Sequence, residues 1–230
     1  MTLTVGSLFA GIGGFDLGLE RAGMRVIWQS EIDPYASAVL KKHWPNVPNH
    51  GDIRSIRVDA VQRPSVLCGG FPCQDISIAG RRAGMEGEHS GLWTEFARLI
   101  RGLRPEYVIL ENSPSLCVRG LGGILSDLAD AGYDTEWHGI PAAAIGAVHL
   151  RARQWVLAYP RSVGDRTPED TLCAGRIGPV NGIGWASEPG VCRVDDGVPS
   201  RVDRLRCLGN AIVPQIAEII GRAILDHDTR

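Results

Sequence analysis

Two side chains in this sequence have the type and setting to react. Cys73 stands in Cys68-Gly69-Gly70-Phe71-Pro72-Cys73-Gln74-Asp75-Ile76-Ser77, where a β-rich run gives way to a glycine-rich turn. The thiolate is the reactive form of cysteine and needs a positive or helix-dipole environment. Glu111, in Ile109-Leu110-Glu111-Asn112-Ser113-Pro114, closes the next β-rich run and opens into the same region. A nucleophilic thiolate beside a carboxyl that can hold or share a proton suits covalent attack on an aromatic nitrogen ring. Cytosine is unreactive at carbon 5 until a nucleophile adds to carbon 6. A carboxyl at ring nitrogen 3 would keep negative charge from building up on that ring. Cys68, earlier in the same run, reads as a buried small hydrophobe.

A second group of residues suits a nucleotide. The first β-rich run ends in Phe9-Ala10-Gly11-Ile12-Gly13-Gly14 and passes straight into a helical pattern. Glycines in such a turn let backbone approach a ligand, and helix N-terminal N–H groups favour negative charge. Glu31 lies twenty residues after Gly11, at the end of the next run, where a doubly wound fold places an acid on a ribose hydroxyl. Asp52, in His50-Gly51-Asp52-Ile53, ends the following short segment and is placed to accept from an adenine amine. A free ribose is common to NAD and S-adenosylmethionine, so these residues alone fit an oxidoreductase or a methyltransferase.

The elements that must carry these residues alternate. Strands are expected at 4–9, 24–30, 65–69, 107–111, 134–139 and 154–159, with helices at 14–22, 34–43, 91–103 and 121–131. That alternation predicts βαβ units and a mostly parallel sheet with ligands at the carboxyl ends of its strands. From Pro160 to Ser200 seven glycines and five prolines interrupt any periodicity, and a helix is expected again at 214–225.

SLFAGIGGFDLGLE, the acid in QSEIDPYA, GDI, GGFPCQDIS, ENSP and LGNAIVP occur in the order found in DNA (cytosine-5) methyltransferases. The chain is similar to that family over nearly all its length except residues 160–195. The resemblance implies a doubly wound, mostly parallel, Rossmann-like α/β fold. It implies S-adenosylmethionine as methyl donor, S-adenosylhomocysteine as product, no metal, and double-stranded DNA as substrate with the target base flipped out. Carried over by resemblance, Cys73 adds to carbon 6, Glu111 assists at nitrogen 3 and Pro72 shapes the turn. Arg153 reaches the cytosine carbonyl and Arg151 braces the site. Phe9 would stack on adenine, with Glu31 on the ribose and Asp52 at the adenine amine. Gly11 and Gly13 would make room for the methionine part, and Asn210 would frame its site. Ser77 would touch a phosphate beside the flipped base, and Arg81 and Arg82 lie in a segment resembling the mobile loop that closes over DNA.

The chain departs from the family pattern in three places. His149-Leu150-Arg151-Ala152-Arg153 has His where the family has Gln, and Ser113 replaces an aliphatic residue after Glu-Asn. The family also inserts a target-recognition domain before the Gly-Asn element, where this chain has only about forty residues. The expected organisation is therefore a catalytic domain over 1–159 and 200–230 and a reduced recognition region over 160–199. That region carries more acids than arginines, leaving Arg201, Arg204 and Arg206 as the better backbone contacts. Base edges are read by side chains that a scaffold holds in the groove. A short target, or specificity supplied by a protein partner or self-association, is expected. The competing readings are a weak or inactive regulatory relative and an RNA methyltransferase of the same fold.

Composition narrows the class. With 230 residues, 44% apolar and 22% charged, the chain is globular in composition and long enough for a core. Its net charge of −2 gives no bulk attraction to nucleic acid, although 22 of its 24 basic residues are arginine. Six cysteines without a Cys-x-x-Cys pair suggest neither a zinc site nor a disulfide framework. The expectation is a reduced, soluble, cytoplasmic protein of a prokaryotic cell or phage.

Overall fold

The computed structural model describes residues 2–72, 91–161 and 200–228. Six strands form one sheet: β1 (Thr4–Leu8), β2 (Arg25–Ser30), β3 (Val66–Gly69), β4 (Tyr107–Asn112), β5 (Tyr133–Pro141) and β6 (Ala152–Pro160). The order is β2-β1-β3-β4-β6-β5. β1 pairs in parallel with β2 and β3, and β3 with β4, whereas β6 lies antiparallel between β4 and β5. The mostly parallel sheet is as expected, with the antiparallel β6 as an addition.

Helices cover both faces, which is why the central strands are buried along their length rather than alternating. On one face α1 (Gly14–Ala22) and α7 (Pro214–Asp228) pack Phe15, Leu19, Ile216 and Ile220 over Val5, Ile109 and Trp155. On the other, α3 (Gly91–Leu103) and α5 (Leu121–Asp130) bury Phe96, Ile100, Ile124 and Leu128 against Leu8, Leu67 and Val108. Among the described residues the other α-helices are α2 (Pro34–His43), α4 (Leu116–Arg119) and α6 (Arg201–Asn210). Neither α4 nor α6 was expected. The stretch Val202–His227 is long and apolar enough to cross a membrane, but here it is two helices broken at 211–213, and α7 buries its apolar stripe in the core.

Three local features fix the geometry. Asp33 caps α2 by accepting from the Ala36 N–H at 2.9 Å, with Pro34 at the first helical position, so the chain turns sharply after β2. A Cβ at Gly18 would lie 2.3 Å from the Pro214 carbonyl oxygen, so α1 and α7 touch backbone to backbone. That contact sets the Gly209–Val213 segment against the start of α1. From β1 the chain passes to β2 on one side and later to β3 on the other. The strand order therefore reverses at β1/β3, the point where open α/β sheets bind ligands.

Candidate active site

At the β1/β2 end, backbone geometry aims the side chains. Phe9, Gly11 and Gly13 all have positive φ, at 51°, 56° and 87°. For a phenylalanine this conformation costs on the order of 1–3 kcal/mol and persists only where the surroundings dictate it. Gly11 donates its N–H to Glu31 Oε2 at 2.8 Å, and Asp33 donates its N–H to Glu31 Oε1 at 2.7 Å. Each carboxylate oxygen of Glu31 is thereby oriented and keeps a lone pair for a further donor.

A Cβ at Gly11 would meet nothing within 4 Å, so that glycine faces open space. Gly13 differs, because a Cβ there would strike the Trp44 ring at 2.4 Å. Its small size admits Trp44. Asp52 caps the short turn Ile53–Ser55 by accepting from the Arg54 N–H at 2.9 Å, and Arg54 pairs with its other oxygen at 3.6 Å.

Across the switch point, side chains do the positioning. Glu111, at the end of β4, is 7% exposed, and Arg153 Nε lies 3.0 Å from its Oε1. Burial pushes the Glu111 carboxyl up to about 7, and the Arg153 and Arg151 guanidinium groups only partly oppose that rise. The arginines arrive there because β6 is antiparallel. Glu111 pairs with Trp155 and Asn112 with Gln154, so residues 151–153 run just past the end of β4, over the crevice.

Arg151, with φ of 27°, donates to the carbonyls of Gly209 at 2.9 Å and of Ala211. It thus fastens both neighbours of Asn210, which itself is exposed at the end of α6. A cavity of about 620 Å³ opens between Ile12–Gly14 and Ala211–Gln215, with Leu17, His149, Arg151 and Leu208 completing its wall.

Gly70 ties the turn before Cys73 to this pair, since a Cβ on Gly70 would fall 2.9 Å from Glu111 Oε2. Asn112 adds a direct bond, donating from Nδ2 to the Phe71 carbonyl at 2.9 Å. Pro72 is exposed. Cys73, Ser77, Arg81 and Arg82 lie outside the described residues, as does the side chain of Arg201. Arg204 is exposed on α6, while its neighbour Arg206 reaches back to Asp33.

Sequence reasoning missed two positioning residues. Asn112 was read only as part of a motif; its signal was a polar side chain following a run of β residues. Asn49 holds the Glu31 turn: its Oδ1 accepts from the N–H groups of Glu31 and Gly51 at 2.9 and 3.0 Å, and its Nδ2 donates to the Glu31 carbonyl at 3.1 Å. The available sign was an Asn two residues before a glycine, Asn49-His50-Gly51, a pairing that favours a turn.

The chain matches the family described as C-5 cytosine-specific DNA methylase over residues 3–170. It belongs to that family. It is 36% identical over 166 residues to the Type II methyltransferase M2.BsuMI of Bacillus subtilis strain 168, covering 68% of this chain and 42% of that protein. To the Type II methyltransferase M.Bsp6I of Bacillus sp. strain RFL6 it is 36% identical over 164 residues, covering 68% of this chain and 52% of the relative. The chain thus spans about half the length of these relatives. Its fold is similar to the Dnmt2 methyltransferase of S. pombe, with a TM-score of 0.62 and 19% identity, over 74% of this chain and 54% of that one.

Proposed function

We propose that this chain transfers a methyl group from S-adenosylmethionine to carbon 5 of cytosine in double-stranded DNA, through a transient bond between Cys73 and a flipped-out base. One observation supports this above the rest: the turn leading to Cys73 runs against the buried Glu111, which pairs with Arg153, with only β1 between the strand that carries this turn and the strand that carries the Glu31 turn.

The residues present fit the cofactor. Glu31 offers two fixed oxygens to a ribose, Gly11 leaves open space beside them, and the partly exposed Phe9 ring can take an adenine face. The Asp52 carboxylate would receive the adenine amine, and Asn210, held through its neighbours by Arg151, would border the methionine part. When bound, S-adenosylmethionine supplies the methyl group.

In this reading the Cys73 thiolate forms a bond to carbon 6 of cytosine. Glu111 works in its protonated form, donating towards ring nitrogen 3, and its raised pKa keeps that form populated near neutral pH. Arg153 holds Glu111 in place and donates to the cytosine carbonyl. Once carbon 5 is methylated, its proton leaves to water, the sulfur–carbon 6 bond breaks and the thiolate is released.

Residues 1–159 and 200–230 form the catalytic domain, and 160–199 a reduced recognition region. Specificity then comes from a short target or from a second chain, and the protein works in the cytoplasm of a prokaryotic cell or one infected by phage. The test is nucleoside mass spectrometry of mixed-sequence duplex DNA after incubation with the protein and S-adenosylmethionine. 5-Methylcytosine should appear with the native chain and be undetectable with Cys73→Ala, which should still bind the cofactor. Transfer by Cys73→Ala would overturn the covalent mechanism.

A further inference from the structure

Four aromatic rings form a ladder beneath the crevice. Phe9 lies 6.3 Å from Phe96, Phe96 lies 5.9 Å from Trp93, and Trp93 lies 5.6 Å from Phe71, centroid to centroid and all tilted. Such separations are those of favourable aromatic pairs. The two ends matter: Phe9 is the strained residue of the first turn, and Phe71 lies two residues before Cys73. Trp93, in the first turn of α3, donates its Nε1–H to Asp127 Oδ2 on α5 at 2.6 Å. It is the rung with an external anchor.

We propose that Trp93 is a positioning residue that fixes the turn at Phe71–Pro72 relative to the Phe9 turn, so that the Cys73 and cofactor ends of the crevice keep their register. The Asp127 anchor sets the height of the Trp93 ring, which carries Phe71 on one side and Phe96 on the other. Phe96, fully buried, carries Phe9 in turn. From the other side, Asn112 holds the Phe71 carbonyl, so ring and backbone are fixed by different elements.

The proposal rests on the methyl-transfer reading for its consequence, but its physical content is tested without turnover. Peptide-level hydrogen exchange is compared in the full-length protein and in Trp93→Leu, Trp93→Phe and Asp127→Asn. In Trp93→Leu the amides around Gly70–Phe71 and Phe9–Ala10 should exchange about tenfold faster, with β5 and β6 unchanged. Trp93→Phe, which keeps a ring but loses the N–H that Asp127 accepts, should show an intermediate rise, and Asp127→Asn, whose amide oxygen can still accept from Trp93, a smaller one. In the methylation assay, kcat of Trp93→Leu should fall about tenfold and recover only in part in Trp93→Phe.

Unchanged exchange at both turns in a folded Trp93→Leu overturns the proposal. If Trp93→Leu does not fold, wild-type exchange in both other variants overturns it, because the ring would then be core packing alone. Absence of methylation by the native chain would overturn the activity reading and leave the exchange result to decide the ladder.

Discussion

The two halves of the crevice are built by different means. At the β1/β2 end, Glu31 is held by backbone N–H groups of two turns, and the turns are held by glycine conformation and by Asn49. At the β3/β4/β6 end, Glu111 is held by a guanidinium, and the turn beside it by the Asn112 amide. Backbone donors suit a group that must stay put while a neutral ribose comes and goes. Side-chain partners suit a group that must change protonation, because an arginine beside a buried carboxyl moderates the rise that burial causes. Under the proposed function, one half is arranged for binding and the other for proton management.

The sharpest way to break that contrast is Glu111→Gln. The amide fills the same space but cannot supply a proton, and it leaves Arg153 facing a neutral partner. The value of kcat should fall by roughly 10²–10⁴-fold, the range of a lost general acid, with little change in the Michaelis constant for S-adenosylmethionine. For the native chain, kcat/KM for DNA should carry a descending limb as pH rises through about 7, when Glu111 of the free enzyme loses its proton. The same limb persisting in Glu111→Gln would assign it to another group.

Glu31→Ala should give the opposite signature. Removing a carboxylate that accepts charge-assisted hydrogen bonds costs about 1.5–3 kcal/mol, or roughly a 10- to 150-fold weaker cofactor affinity. DNA binding and kcat at saturating cofactor should hardly move. Calorimetry with S-adenosylhomocysteine is the check, and an unchanged affinity would return Glu31 to the structural role of bracing its own turn. Asn112→Leu should have a smaller effect. It strands the buried Phe71 carbonyl at about 1–3 kcal/mol of stability and should lower kcat about tenfold without altering cofactor affinity.

The same contrast separates what sequence could and could not supply. The β1/β2 half follows from spacing, because a glycine turn and an acid twenty residues on must meet when two adjacent parallel strands end together. Hence Gly11 and Glu31 were expected together, and they share a hydrogen bond. The Arg153–Glu111 pair joins residues forty-two apart and depends on β6 running antiparallel beside β4, which strand periodicity does not encode. There the family pattern supplied the roles. The Trp44 ring against Gly13 was likewise hidden, since a glycine that admits a neighbouring ring and one that admits a ligand look alike in sequence. Helix α6 escaped notice because no residue from Val202 to Asn210 is buried, leaving no core-facing stripe to see.

A second buried carboxyl sharpens the contrast with the smallest effect. Asp16, fully buried in the first turn of α1, accepts from Gln29 Nε2 at 2.7 Å and Ser7 Oγ at 3.0 Å, with no cation among the groups that shift it. Burial raises its pKa from 3.8 to about 6, more than its hydrogen bonds lower it. A carboxyl that binds its proton more tightly when folded gives stability that is full below its unfolded pKa, near 4. That stability is lost as pH rises through about 6, up to roughly 2–3 kcal/mol. Asp16→Asn removes that loss. The new amide can accept from Ser7 and donate to Gln29 Oε1, which lacks a partner among the described residues and becomes available by a flip of the Gln29 amide. Urea denaturation at pH 4.5, 6.0 and 7.5 should show Asp16→Asn gaining on the native chain mostly between pH 4.5 and 6.0 and levelling off by pH 7.5. A constant difference across those three values would mean that Asp16 does not titrate there and that burial alone does not set a carboxyl's proton affinity in this core. Glu111 would then owe its raised pKa to something particular to the crevice.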